Sequence, residues 1–172
     1  MQDGVVSIAV VDTDRQKRED LLRILNGQDA WCQLFSEPGA GSDLAGLGTK
    51  AIKDGDEWII TGQKVWTSTA QLTNLGMLLA RTDPELPKHR GITYFKFDMT
   101  QPGVEIRPLK EMTGRALFNE VFIDGARVHD DDIIGGLNNG WAAANTTLMA
   151  ERAGLEPRDT ERHPPMSEVR TA

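Results

Sequence analysis

With 172 residues, 39% of them hydrophobic and 26% charged, the chain is large enough for one compact domain and too small for two well-formed ones. A formal net charge of −7 opposes nonspecific binding to nucleic acid, because an acidic surface repels the phosphate backbone. The single cysteine, Cys32, excludes an intrachain disulfide framework and a metal site built mainly on thiolates, while 17 glycines and 8 prolines favour short strands between turns.

The first apolar stretch, residues 5–11, follows Asp3 with no basic leader and no small-residue cleavage site, so it is not read as a signal peptide. Nothing approaches the roughly 20 apolar residues needed to cross a bilayer. The expected setting is the cytoplasm, or an organelle matrix if a targeting segment is missing. Thr13 and Gln16 have capping-box spacing and open a helix. Its apolar face is Leu21, Leu22, Ile24 and Leu25, and Asn26-Gly27 stops it. One such helix cannot bury its own stripe and must dock on something.

From Trp31 the pattern changes to short strands. Residues 31–35 are an apolar run, and 49–53 and 57–61 flank the hairpin signal Asp54-Gly55. Strands at 64–67, 75–81, 91–98 and 104–109 follow, then 118–123, after which Asp124-Gly125 turns the chain toward Val128. Regular short strands with turn punctuation predict a mainly β fold, an antiparallel barrel or sandwich-like domain with one flanking helix at each end. The second helix, capped by Asn138 or Asn139, runs over 141–155, with Trp141, Ala144 and Leu148 on one stripe and Glu151 on the same face. Residues 156–172 are charged, contain Pro164-Pro165 and read as a disordered tail. The expected division is thus 1–30, 31–137, 138–155 and 156–172.

Two segments carry chemistry. Residues 33–43 deliver a strand into a loop where Gly39 and Gly41, taking positive φ, let a ligand approach backbone N–H groups, with Ser36 and Ser42 adding hydroxyls. The loop suits an anionic or strongly accepting ligand. It lacks the Gly-Lys-Ser/Thr ending of a P-loop and the order of a nucleophile elbow. At the second segment Trp66, Thr67 and Ser68 end a strand, an arrangement able to stack on a planar ring and donate hydrogen bonds to it. The turn His129-Asp130-Asp131-Asp132 has metal-ligand residue types, but consecutive residues rarely converge on one ion, so it reads as a solvated turn and no metal is expected.

Taken together, Glu37-Pro-Gly-Ala-Gly-Ser-Asp43 and then Gly62-Gln-Lys-x-Trp-x-Ser68 resemble the paired flavin-binding signature of the acyl-CoA dehydrogenase family. Trp31-Cys-Gln-Leu-Phe35 before the first motif, 78–81, 91–95, Phe118-Asn-Glu-Val-Phe-Ile-Asp124 and Gly140-Trp141 fall in family order, so the resemblance covers about 13–155. It implies the family's middle β domain with remnants of the helical domain on either side. It further implies oxidation of an acyl-CoA thioester to the trans-2-enoyl thioester, as in fatty acid β-oxidation. The cofactor would be FAD, the electron acceptor an electron-transferring flavoprotein, and the assembly a homo-oligomer.

By matching position, Gln33, Leu34, Phe35, Ser36, Gly41 and Ser42 would line the flavin, with Ser42 also facing the acyl-CoA. Trp66, Thr67 and Ser68 would pack against the isoalloxazine. In one group of family members the catalytic base stands in a Glu-Arg pair on the first long helix after the β domain, and Glu151-Arg152 matches that place. A glutamate on the apolar stripe of a buried helix would have the raised pKa that a carbon acid's base requires. In the other group the base lies downstream, in a segment not present here. Before Thr13 and after Leu155 the sequence departs from the family, so the competing expectation is a noncatalytic β-domain fragment that holds no flavin.

Overall fold

A computed structural model describes residues 14–155. Thr13 and the tail with His163 and Pro164-Pro165 lie outside the described residues. The elements in chain order are α1 (Asp14–Leu25), β1 (Trp31–Leu34), β2 (Lys50–Asp54), β3 (Glu57–Ser68), β4 (Leu75–Arg81), β5 (Ile92–Asp98), β6 (Val104–Leu109), β7 (Phe118–His129), β8 (Ile133–Ile134) and α2 (Gly140–Leu155). The mainly β class with a helix at each end is what the sequence pattern indicates. No helix among the described residues is long and apolar enough to cross a membrane.

All eight strands join one sheet, in the order β6-β7-β3-β2-β4-β5-β8, with β1 added on β4. Most pairings are antiparallel. The exceptions share one edge of β4, where β1 pairs in parallel from Trp31↔Leu75 to Leu34↔Leu78 and β2 then takes over at the single bridge Lys50↔Arg81. The sheet therefore bends where β2 hands over to β4, and its two halves close on each other. Leu78, Phe95 and Phe97 from one half meet Ile60, Val121 and Ile123 from the other in a single core. Trp58 and Phe95 touch across it, with ring centroids 6.0 Å apart.

Strand alternation sends the intervening residues of the central strands to the opposite face. Met77, Leu79, Ile92 and Tyr94 form a second core there with Ala143 and Ala144 of α2 and with Phe35, Leu44 and Leu47 of the β1–β2 connection. Strands β4 and β5 are thus buried on both faces, which explains their nearly unbroken apolar runs. Helix α2 begins hard against β5. A Cβ on Gly140 would stand 2.6 Å from the backbone of Thr93 and Tyr94, so only glycine fits at that helix start.

Three expectations change. Residues 57–61 and 64–67 are one twelve-residue strand, β3. Likewise Asp124-Gly125 does not turn the chain. Gly125, at φ +70°, is the extra residue of a bulge in β7, because Thr61 pairs with Asp124 and Ile60 with Ala126. A bulge accepts a left-handed glycine without ending the strand. In α1 the buried stripe is Gln16, Asp20 and Ile24, whereas Leu22 and Leu25 are exposed. Polar ties outweigh the leucines here: Gln16 Nε2 donates to the carbonyls of Asp131 (2.9 Å) and Ile133 (3.1 Å), and Lys96 Nζ reaches Asp20 and Asp132. Burial opposes the Lys96 charge, but those two carboxylates outweigh it and raise its pKa.

Candidate functional site

Strand β1 ends at Leu34, and the chain then makes a tight turn in which Glu37 and Ala40 exchange backbone hydrogen bonds of 2.9 and 3.1 Å. Pro38 and Gly39 occupy the corner. Contrary to the sequence reading, neither Gly39 nor Gly41 has positive φ, and a Cβ on either would meet nothing within 4 Å. The loop's shape comes instead from the Glu37 carboxylate. It accepts from the backbone N–H of Gly48 (2.6 Å) and of Thr49 (3.0 Å), and from Lys64 Nζ (2.7 Å).

Lys64 is fully buried on β3, and its ammonium also donates to the carbonyl of Phe35 at 3.1 Å. Burial takes its pKa down to about 8 against the pull of Glu37. For Glu37, burial acts upward, yet Lys64 and the surrounding donors hold its pKa below the usual glutamate value. Next in sequence, Val65 N–H donates to the carbonyl of Ser36 at 2.9 Å. The two motifs are therefore physically joined.

Directly after that junction β3 bulges. Lys64 pairs with Val121 and Thr67 with Asn119, so Val65 and Trp66 oppose a single residue. Trp66 absorbs the irregularity at φ +61°, a conformation unfavourable for any residue with a Cβ. Its indole is 62% exposed and meets Phe118 edge-on, with centroids 5.9 Å apart. Strain of this kind, held in place by the surrounding fold, marks functional sites.

Between the β1 wall and the bulge lies a cavity of about 180 Å³. Trp31, Gln33, Phe35 and Ser36 line it from the β1 side, Val65, Trp66 and Ser68 from β3, and half-buried Glu151 from α2. Of the residues singled out in the sequence, Gln33, Phe35, Ser36, Trp66, Ser68 and Glu151 come together here. Leu34 alternates to the opposite face and is fully buried in the core between the sheet halves. Thr67 also turns inward, its buried Oγ1 without a hydrogen-bond partner among the described residues. Gly41 and Ser42 are exposed on the loop, away from the cavity lining and beside Asp43, whose carboxylate holds Lys88 Nζ at 2.8 and 2.9 Å.

Two buried donors in the cavity wall, Trp31 Nε1 and Gln33 Nε2, have no hydrogen-bond partner among the described residues. A buried donor left unpaired is costly, and a ligand edge carrying carbonyl or ring-nitrogen acceptors would relieve that cost. Cys32 also borders the cavity, but burial pushes its thiol up to about 11, so it is no thiolate at neutral pH. Sequence reasoning missed Trp31, Val65 and Lys64; the available signal was a lysine at an inward position of a strand, where a charge is seldom placed without a partner.

The acidic turn after β7 is structural. His129 Nδ1 accepts from Asp131 N–H at 3.1 Å, and Asp130 accepts from Trp58 Nε1 at 2.7 Å and from Lys53. His89 stands edge-on to Trp141, with centroids 4.8 Å apart.

The family model "Acyl-CoA dehydrogenase, middle domain" matches residues 32–125, a stretch longer than half the chain. The chain belongs to the acyl-CoA dehydrogenase family. Among curated acyl-CoA dehydrogenases it is 59% identical over 131 residues to FadE34 of Mycobacterium tuberculosis, an alignment covering 76% of this chain and 18% of that one. Among solved structures it is similar to the Tcur3481-Tcur3483 steroid ACAD, with TM-score 0.84 and 35% identity over 89% of this chain and 40% of that one. It is also similar to a glutaryl-CoA dehydrogenase from Mycobacterium smegmatis in complex with FADH2, with TM-score 0.75 and 28% identity over 88% and 38%. The chain thus spans less than half the length of each of these acyl-CoA dehydrogenases.

Proposed function

We propose that the chain is the flavin-holding middle portion of an acyl-CoA dehydrogenase, with FAD seated between the β1 wall and the Trp66 bulge. The observation that carries this reading is the convergence of three distant segments on one cavity, through Gln33, Phe35 and Ser36, through Trp66 and Ser68, and through Glu151. The residues fit the cofactor. Trp66 offers an exposed aromatic face, Ser36 and Ser68 offer hydroxyls, and Trp31 and Gln33 have buried donors with no partner among the described residues. When bound, FAD supplies the acceptor for the β hydride of an acyl-CoA thioester; the protein supplies position and electronics.

On this reading Glu151, one turn beyond Leu148 on α2, removes the α proton, and the product is the trans-2-enoyl thioester. Ser42, at the loop's outer side, faces the acyl-CoA. Residues 31–137 make up the β domain, 1–30 and 138–155 belong to the adjoining helical regions, and an electron-transferring flavoprotein takes up the electrons. A homo-oligomer would complete the family form.

The purified chain mixed with FAD and desalted should retain the visible flavin bands. Dye-coupled oxidation of straight and branched acyl-CoAs should then be lost in Glu151→Gln while flavin is kept; unchanged turnover would reject the base. One observation favours a second reading: the chain spans under half the length of its relatives, and a site assembled from two domains loses much of its affinity when one is absent. A folded chain that takes up no FAD would mark it as a noncatalytic β-domain fragment.

A further inference from the structure

We propose that Lys64 is a positioning residue for this site, holding the β1 wall against the bulge that presents Trp66, so that ligand affinity depends on a buried cation that never touches the ligand. The inference rests on the flavin reading for the ligand's identity, and on the geometry alone for the clamp.

Three contacts bridge the two walls of the cavity, and two of them come from one ammonium. Lys64 Nζ donates to Phe35 O (3.1 Å) and to Glu37 Oε1 (2.7 Å), and the adjacent Val65 N–H donates to Ser36 O (2.9 Å). Phe35 and Ser36 line the cavity from one side, and Val65 and Trp66, the two residues after Lys64, line it from the other. The bulge starts at the clamp, since the regular pairing of β3 with β7 breaks immediately after Lys64↔Val121. Lys64 itself has no exposed surface and is not part of the cavity lining. An ion pair in this position is poor evidence of net stability, because desolvation offsets most of its attraction. It is better suited to fixing one arrangement, because an apolar side chain of the same length would leave Glu37 without its cation and the β1 wall free to shift.

The charged groups around the pair are few. Glu37 faces Lys64 from the β1 loop, and Arg81, at the end of β4, acts on Glu37 and has its own pKa lowered by burial. Loss of the Lys64 proton near pH 8 therefore removes the cation from the clamp.

The test uses the full chain with FAD as the probe, and the variants Lys64→Met and Glu37→Gln. By hydrogen exchange, the Val65 amide should exchange about tenfold faster or more in Lys64→Met, while the Leu78 amide in the central strand is unchanged. FAD affinity should fall about tenfold or more. In the parent it should hold up to about pH 8 and weaken above. The fall should begin at lower pH in Glu37→Gln, which removes the charge that supports the ammonium, and be absent in Lys64→Met. A pair that only stabilised the fold would raise exchange at Leu78 and Val65 together and leave the shape of the pH profile unchanged, and either result overturns the proposal. If the parent takes up no FAD, the flavin reading fails, and the exchange ratio of Val65 to Leu78 alone decides the clamp.

Discussion

Trp66 offers the sharpest test of whether strain is built into the site. At φ +61° any side chain with a Cβ is disfavoured by about 1–2 kcal/mol relative to glycine. Ordinarily the order is reversed, because glycine within a strand is about 0.5–1 kcal/mol worse than alanine through its larger loss of backbone freedom. Comparing Trp66→Ala with Trp66→Gly removes the indole in both and leaves only the backbone term. With 62% of the indole exposed, little packing differs between the two variants beyond one methyl group. Glycine should therefore be the more stable by roughly 1 kcal/mol, a shift of about 2–4 °C in Tm for a chain of this size. Urea and thermal unfolding of the pair read this directly. An alanine variant as stable as the glycine variant, or more so, would refute a strained bulge. Both should bind FAD far more weakly than the parent, which separates the strain from the ring's use.

Other outcomes follow from close contacts and buried groups. Gly62→Ala would put a Cβ 2.7 Å from the Thr49 Cα and should cost about 1–3 kcal/mol in urea unfolding, because backbone cannot yield there cheaply. Gly39→Ala and Gly41→Ala, with nothing within 4 Å, should stay within about 0.5 kcal/mol of the parent. The Cys32 thiol, raised by burial from 9.0 to about 11, keeps its proton in the folded state after the unfolded chain has lost it. Its contribution is therefore full below pH 9 and lost as pH rises toward 11, about 2–3 kcal/mol in all; Cys32→Ala should lack that part of the alkaline decline. For the same reason a thiol reagent at pH 8 should label Cys32 only as the protein unfolds.

Much of the fold is written locally. Residues 75–81 and 104–109 form strands with the bounds read from their flanking turn residues, and the tight β2–β3 hairpin uses Gly55 at φ +67°. What escaped was whatever depends on partners distant in sequence. Asp124-Gly125 has the same turn chemistry as Asp54-Gly55. It becomes a bulge because β3 continues alongside it and supplies hydrogen bonds on both sides of the glycine. The leucines of α1 lose to Gln16 and Asp20 because the acceptors and the lysine they meet lie on β5 and around β8, over 75 residues away. Within the site, the residue types that suit a planar, accepting ligand stood out in the sequence, whereas Lys64 did not. Its role exists only once Phe35 and Glu37 are brought over it. Leu34 and Thr67 share the motifs of their neighbours, but strand alternation turns them into the core.

Titration of the purified, folded chain with FAD, followed by flavin absorbance and by quenching of tryptophan emission, tests the flavin cavity most directly. The expected result is saturable uptake of one FAD per chain, with quenching from Trp31 and Trp66 and a smaller quenched fraction in Trp66→Ala. A chain that keeps its sheet by circular dichroism yet takes up no FAD at any concentration tried would contradict it.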